Sequence, residues 1–146
     1  MILTVLGRCG PYPRPNGACS GYLIEDGETR VLLDCGAGVF ARLVEYLPVQ
    51  ALDAVVLSHL HFDHCSDLLV MRYALDQLTP AADGQKRRVP LYAPKEPHAI
   101  LEFLTNGALF DTTQVGGGDE IQIGSLTFAF SPMAHPVPTN GMRVTG

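Results

Sequence analysis

No apolar run in this chain approaches the roughly eighteen residues that cross a bilayer, so a membrane span is not expected. The first seven residues have no basic head, and their apolar stretch is too short for a secretory signal. The expected location is therefore the cytoplasm. Cysteine offers no paired motif. Cys9, Cys19, Cys35 and Cys65 contain no C-x-x-C, which disfavours a zinc ribbon or a thioredoxin-type site. Two disulfides are arithmetically available, but four reduced thiols are the expected state in a cytosolic protein. Basic residues are few: ten Lys+Arg against fifteen Asp+Glu leave a net charge of −5. That argues against a basic nucleic-acid-binding surface as the main source of affinity. Internal repeats, low-complexity segments and linkers are also missing.

What is there reads as one globular domain over residues 1–146. Apolar residues make up 47% and charged residues 17%, a composition that folds rather than stays disordered. Residues 2–7 form an apolar, strand-like run, and residues 8–17 are a Pro/Gly-dense loop. Two apolar runs, 22–24 and 30–33, flank Asp26-Gly27-Glu28-Thr29 and predict a hairpin. Val39, Phe40, Leu43, Val44 and Leu47 recur at helical spacing until Pro48. Residues 53–57 predict a short strand running into Ser58-His59. A second helix is expected over 67–78, with Leu68, Met71, Leu75 and Leu78 as its stripe and Ser66 as its N-cap. Residues 79–88 read as a solvated polar loop carrying Lys86-Arg87-Arg88. A strand over 89–93, a helix over 97–104, a hairpin around Gly124-Ser125 and a strand beginning at Met142 follow. Strands early and late with helices between them predict an α/β (α+β) layered fold.

One segment carries the chemistry: Ser58-His59-Leu60-His61-Phe62-Asp63-His64-Cys65-Ser66-Asp67. Three of the five histidines and an aspartate lie within six residues. In an extended segment, residues two apart project to one side, so His59, His61 and Asp63 can converge. His64 is out of phase and can join them only where a helix begins. Imidazoles and a carboxylate are ligands that zinc takes, and ligands this close favour two adjacent metals over one. The blander reading is a set of surface or capping histidines. A further ligand must come from elsewhere. His135, held extended between prolines in Pro132-Met133-Ala134-His135-Pro136-Val137-Pro138, is the candidate. His98, beside Glu96, is expected to face solvent. Cys65, next to His64, is expected to be a packed thiol.

His59 to His64 resembles the signature of the metallo-β-lactamase superfamily. Leu33-Asp34-Cys35-Gly36 resembles that superfamily's acidic motif before the first helix. Val5-Leu6-Gly7, the Pro/Asn loop and Ser20-Gly21-Tyr22-Leu23 resemble the N-terminus of its ribonuclease Z-like and phosphodiesterase-like branch. The resemblance implies an αββα sandwich, of which this chain would be the N-terminal half. It implies that His59, His61 and His135 bind a first metal, that Asp63 and His64 bind a second, and that Asp34 orients a ligand histidine behind them. The implied chemistry is hydrolysis of a phosphodiester or related ester by metal-activated water, with Asp63 as the residue that orients or deprotonates that water. Two zinc ions are expected in the complete domain, and manganese or iron would suit the same ligands.

Members of that superfamily continue past the third histidine to a metal-bridging Asp and a last His. Residues 136–146 contain neither Asp nor His. The expectation is a domain incomplete at its C-terminus: a fragment of a longer enzyme, or a half-domain that pairs with itself, or an inactive relic. A lone half would expose an apolar sheet face, so a homodimer is expected. Two functions stay open, a metal-dependent hydrolase and a non-catalytic metal-binding half-domain that needs a partner. For the hydrolase, a small phosphodiester, ester or lactone is preferred to structured RNA, because one Lys86-Arg87-Arg88 cluster is too little positive charge for RNA.

Overall fold

The structure is a computed structural model that describes residues 1–78, 87–107 and 109–146. Strands β1 (Ile2–Gly7), β2 (Gly21–Asp26) and β3 (Thr29–Leu33) form an antiparallel meander. The β2–β3 turn is tight, and Gly27 adopts φ 57 there, a left-handed conformation that only glycine takes without cost. The chain then alternates helix and strand. Helix α1 (Val39–Tyr46) leads to β4 (Ala54–Val56); α2 (Phe62–Cys65) and α3 (Leu68–Asp76) lead to β5 (Val89–Ala93); α4 (His98–Thr105) leads to β6 (Phe110–Gln114). Strands β3 to β6 are parallel, completing a six-stranded sheet in the order β1-β2-β3-β4-β5-β6. A separate antiparallel sheet, β7-β8-β9, is built from Glu120–Ile123, Leu126–Met133 and Thr139–Thr145.

Period-two alternation in the large sheet decides the layering. Leu23, Leu32, Val55 and Leu91 point to one side and pack on Val39, Leu43, Leu68, Met71, Leu75, Leu101 and Leu104 of the helices. Ile24, Val31, Ala54 and Val56 point to the other and pack on Ile123, Leu126, Phe128 and Phe130 of the small sheet. Ala54-Val55-Val56 is buried on both faces, which is why it reads as a continuous apolar run. Helices, large sheet and small sheet are three layers of an αββα sandwich.

Several expectations need correction. The sequence pattern did not predict β6, whose residues after Phe110 are exposed; the edge of β5 supplies its hydrogen bonds. Val44 is 48% exposed and does not join the α1 stripe. Asp67, not Ser66, is the N-cap of α3, and the buried Ser66 hydroxyl has no partner among the described residues. The Asp67 carboxylate instead accepts the Phe40 N–H at 3.0 Å, serving the start of α1, where Gly38 has no side chain to offer. Burial raises the pKa of Asp67, a shift opposed by the backbone N–H groups of Phe40, Gly38 and Val39. Of the polar loop, residues 79–86 lie outside the described residues. Arg87 and Arg88 are not merely solvated: Arg87 donates to the Leu52 carbonyl, and Arg88 pairs with Asp111 at 3.1 Å. Among the described residues, no broad bare apolar sheet face is found. The outer face of the small sheet carries Gln122, Thr127, Ala129 and Arg143. A narrower exposed apolar strip runs along Leu3 and Val5 of the edge strand β1.

Candidate metal centre

Parallel strands β3 and β4 end side by side, and the segments leaving them build the site. After Leu33 the chain turns at Asp34, which adopts φ 53, a left-handed conformation that Asp tolerates better than most residues. The Asp34 N–H donates to Val56 O at 2.9 Å, locking the two strand ends together. This aims the buried Asp34 carboxylate across the end of β4. Its Oδ1 accepts the Ser58 N–H at 2.8 Å, and its Oδ2 accepts the Ser58 hydroxyl at 2.9 Å. The same Oδ2 lies 2.7 Å from His64 Nδ1.

These bonds dictate the histidine tautomers. A hydroxyl has one proton. With that proton donated to Asp34, Ser58 Oγ is an acceptor for the His59 Nδ1–H, 2.9 Å away. The lone pair of His59 is then on Nε2. His64 donates its Nδ1–H to Asp34, so its lone pair is on Nε2 as well. Each ring is held from behind, with its free nitrogen turned outward, as in metal-ligating histidines.

His59, His61 and His135 offer ligand atoms that all lie within 4.8 Å of one another. His135 comes from the β8–β9 connection and His61 from the extended segment after β4. His61 Nδ1 and His135 Nε2 are 3.1 Å apart. Two nitrogens on one tetrahedral zinc, each at about 2.0–2.1 Å, stand about 3.3 Å apart. The donor set and its spacing therefore fit a metal ion. His64 adjoins this set through His59, with ring centroids 4.0 Å apart. Asp63 Oδ2 is 3.6 Å from His64 Nε2, facing the nitrogen that Asp34 leaves free.

The position of Asp63 differs from the expectation of an extended segment running through it. Extended backbone ends at His61, which precedes the one-turn helix α2, and Asp63 and His64 both lie on that helix. The turn of α2, not strand alternation, brings them round. Its placement is fixed by backbone contacts that the motif alone does not reveal. The Ser20 N–H donates to Asp63 O at 3.1 Å, and the Cys35 N–H donates to His64 O at 2.7 Å. Gly36 packs so closely on Asp63 that a Cβ there would collide with its carbonyl oxygen. Ser58, Ser20 and Gly36 are thus site residues that sequence reasoning left without a role. Gly36 and Ser58 lie within the Asp-Cys-Gly and Ser-His motifs, and Ser20 opens the Ser20-Gly21-Tyr22-Leu23 motif. His98 is exposed at the start of α4, outside the cluster, as expected.

Charge in the cluster is strongly graded. Burial, with the nearby His64, His135 and His61, pushes His59 down to about 4, against the pull of Asp34. Burial pulls His64 down too, but the Asp34 hydrogen bond and the charges of Asp34 and Asp63 outweigh it, so its pKa is raised. Cys65 donates its thiol to His61 O at 3.2 Å, and burial pushes its pKa up to about 12, so it stays a packed thiol. All four cysteines are free.

Comparison with known proteins places this geometry. Residues 29–146 match the Beta-lactamase superfamily domain. The chain is 35% identical over 150 residues to Probable metallo-hydrolase YhfI of Bacillus subtilis, an alignment covering 99% of this chain and 59% of that protein. It is 30% identical over 145 residues to Ribonuclease Z of Methanopyrus kandleri, covering 99% of this chain and 50% of that protein. The crystal structure of the metallo-β-lactamase fold protein YhfI superposes with a TM-score of 0.87 and 32% identity, over 98% of this chain and 57% of that one. The chain therefore spans between half and three-fifths of the length of these relatives.

Proposed function

Since this chain belongs to the metallo-β-lactamase superfamily, we propose that it is the metal-ligating part of a metal-dependent hydrolase acting on a phosphodiester or related ester. The observation that carries the reading is the convergence of His59, His61 and His135, backed by the Asp34–Ser58–His64 hydrogen bonds. In this reading His59, His61 and His135 hold one ion, and His64 and Asp63 contribute to a second. Zinc suits the donor set best, with manganese or iron as alternatives. Bound there, such ions would supply a water acidified to a pKa of about 7 and polarisation of the scissile group.

The chain's own residues do the rest. Asp34 keeps His64 protonated on Nδ1 and fixes its ring, and Ser58 does the same for His59. Asp63, held by Ser20 and Gly36, presents Oδ2 toward the His64 Nε2 side, where it can orient an attacking water or take its proton. A small substrate is preferred to structured RNA, because the two described members of the basic cluster, Arg87 and Arg88, already have protein partners. The second reading, a metal-binding unit that works only with a partner, draws on the ligand count: among the described residues three histidines would hold one ion, but only Asp63 and His64 are placed for a second. The Leu3 and Val5 strip on β1 is the apolar surface a homodimer would cover.

The test is elemental analysis of chain purified without chelator, followed by hydrolysis of bis(p-nitrophenyl) phosphate with zinc or manganese present. About one ion or more per chain and metal-dependent turnover are expected. Metal without turnover would move the conclusion to the second reading, and no metal uptake would end both.

A further inference from the structure

The loop between β1 and β2 sits at the lip of the metal centre and carries two arginines that the site described above does not use. Arg8, Cys9, Gly10 and Arg14 line a polar cavity of about 270 Å³. One of its lining residues borders the candidate metal centre: a Cβ on Gly10 would stand 3.1 Å from Asp63 Oδ2, the oxygen that faces His64.

The guanidinium partners across the molecule set these two residues apart. Arg30 pairs with Glu25 and Glu28. Arg42 donates to Leu6 O and Asn16 O, Arg72 to Phe103 O and Asn106 O, and Arg87 to Leu52 O. Arg88 pairs with Asp111. Of the described arginines, Arg8, Arg14 and Arg143 alone have guanidinium groups with no hydrogen-bond or ion-pair partner. Two of these three flank one cavity beside the metal ligands. In a chain of net charge −5 with 15 acidic residues, leaving both unneutralised in one concave spot points to a ligand.

The loop is also held in shape before anything binds. The Arg8 and Cys9 N–H groups both donate to Ala18 O, and the Gly17 N–H donates to Arg14 O at 2.7 Å. Arg42, reaching from α1, ties Leu6 O at 2.7 Å and Asn16 O on either side of the cavity loop. An anchored backbone presenting two free planar forks matches the oxygens of a phosphoryl group, which guanidinium binds in bidentate fashion.

We propose that Arg8 and Arg14 form an anion subsite that takes a phosphoryl group of the substrate beside the metal centre. This deepens the hydrolase reading and rests on it for its place in a reaction, but the binding itself can be measured without turnover.

The test titrates inorganic phosphate into metal-free and zinc-loaded chain by calorimetry. Wild type is compared with R8Q/R14Q and with R143Q, which removes the third unpartnered guanidinium from the far face of the small sheet. All three positions are surface positions, so the fold is expected to persist, and circular dichroism checks it. In both metal states the double variant should bind phosphate at least about tenfold more weakly, R143Q should match wild type, and acetate should bind wild type more weakly than phosphate. Equal affinity of wild type and R8Q/R14Q, an equal loss in R143Q, no phosphate binding by wild type, or acetate binding as tight as phosphate would each overturn the subsite. Absence of hydrolysis with the arginine effect intact would instead remove the hydrolase reading and leave the anion site standing.

Discussion

Asp34 Oδ2 lies 2.7 Å from His64 Nδ1, while Asp34 Oδ1 accepts the Ser58 N–H. One buried carboxylate therefore fixes both the His64 ring and the backbone that leads into His59. Asp34→Ala should lower metal affinity by about 10–100-fold and leave the Ser58 N–H unpaired, at about 1–3 kcal/mol. Equilibrium dialysis with zinc and urea unfolding read the two effects. Unchanged affinity would show that Asp34 serves the backbone alone.

His135 and His98 are both exposed histidines on non-strand segments, yet only His135 meets His61 and His59. His135→Ala should remove most bound metal, and His98→Ala should remove none. Metal content per chain after gel filtration decides this, and equal retention in both variants would dismiss the three-histidine site.

The metal-free chain should lose stability on acidification. His59 is held down at about 4 in the fold, against an unfolded value near 6.5. The unfolded state then binds more protons across that window, so the contribution of His59 is fully present above about pH 6.5 and falls away toward pH 4. His64, whose pKa is raised, acts oppositely: its contribution is present below about 6.5 and is lost as pH climbs through the folded value. His59→Gln should flatten the acid limb of a plot of thermal midpoint against pH. Parallel limbs in both proteins would mean that other groups set it.

Glycine substitutions should separate site construction from ordinary turn preference. A Cβ at Gly36 meets the Asp63 backbone, which cannot move aside, whereas a Cβ at Gly27 meets nothing within 4 Å. Gly36→Ala should cost about 1–3 kcal/mol or more and weaken metal binding. Gly27→Ala should cost only about 1 kcal/mol through its positive φ, with metal binding intact. Urea titrations with parallel metal analysis check both.

Thiol labelling should follow burial. Cys9 is half-buried, while Cys19, Cys35 and Cys65 are buried, with Cys65 pushed up to about 12. Iodoacetamide on the native chain at pH 8 should modify Cys9 alone, and all four cysteines after denaturation. Rapid native labelling of Cys65 would contradict its packing beneath His61.

Much of this protein is legible in local pattern. The alternation of 22–24 with 30–33, the helical stripes of α1 and α3 and the short run before Ser58 each carry their own periodicity, so the elements follow from residue order alone. The H-x-H-x-D-H spacing points to a candidate metal site because imidazoles and a carboxylate at that spacing are a metal's ligand types. Tertiary contacts decided the rest. Strand β6 exists because β5 offers it an edge. Asp63 faces the site through the turn of α2 and the close approach of Gly36, not through strand alternation. Asp67 caps a helix it does not belong to. Asp34 reaches His64 across thirty positions of chain only because two parallel strands end together. Sequence spacing sets which side chains an element presents, but the meeting of elements far apart in the chain depends on which faces bury together, and that is settled by the packed core.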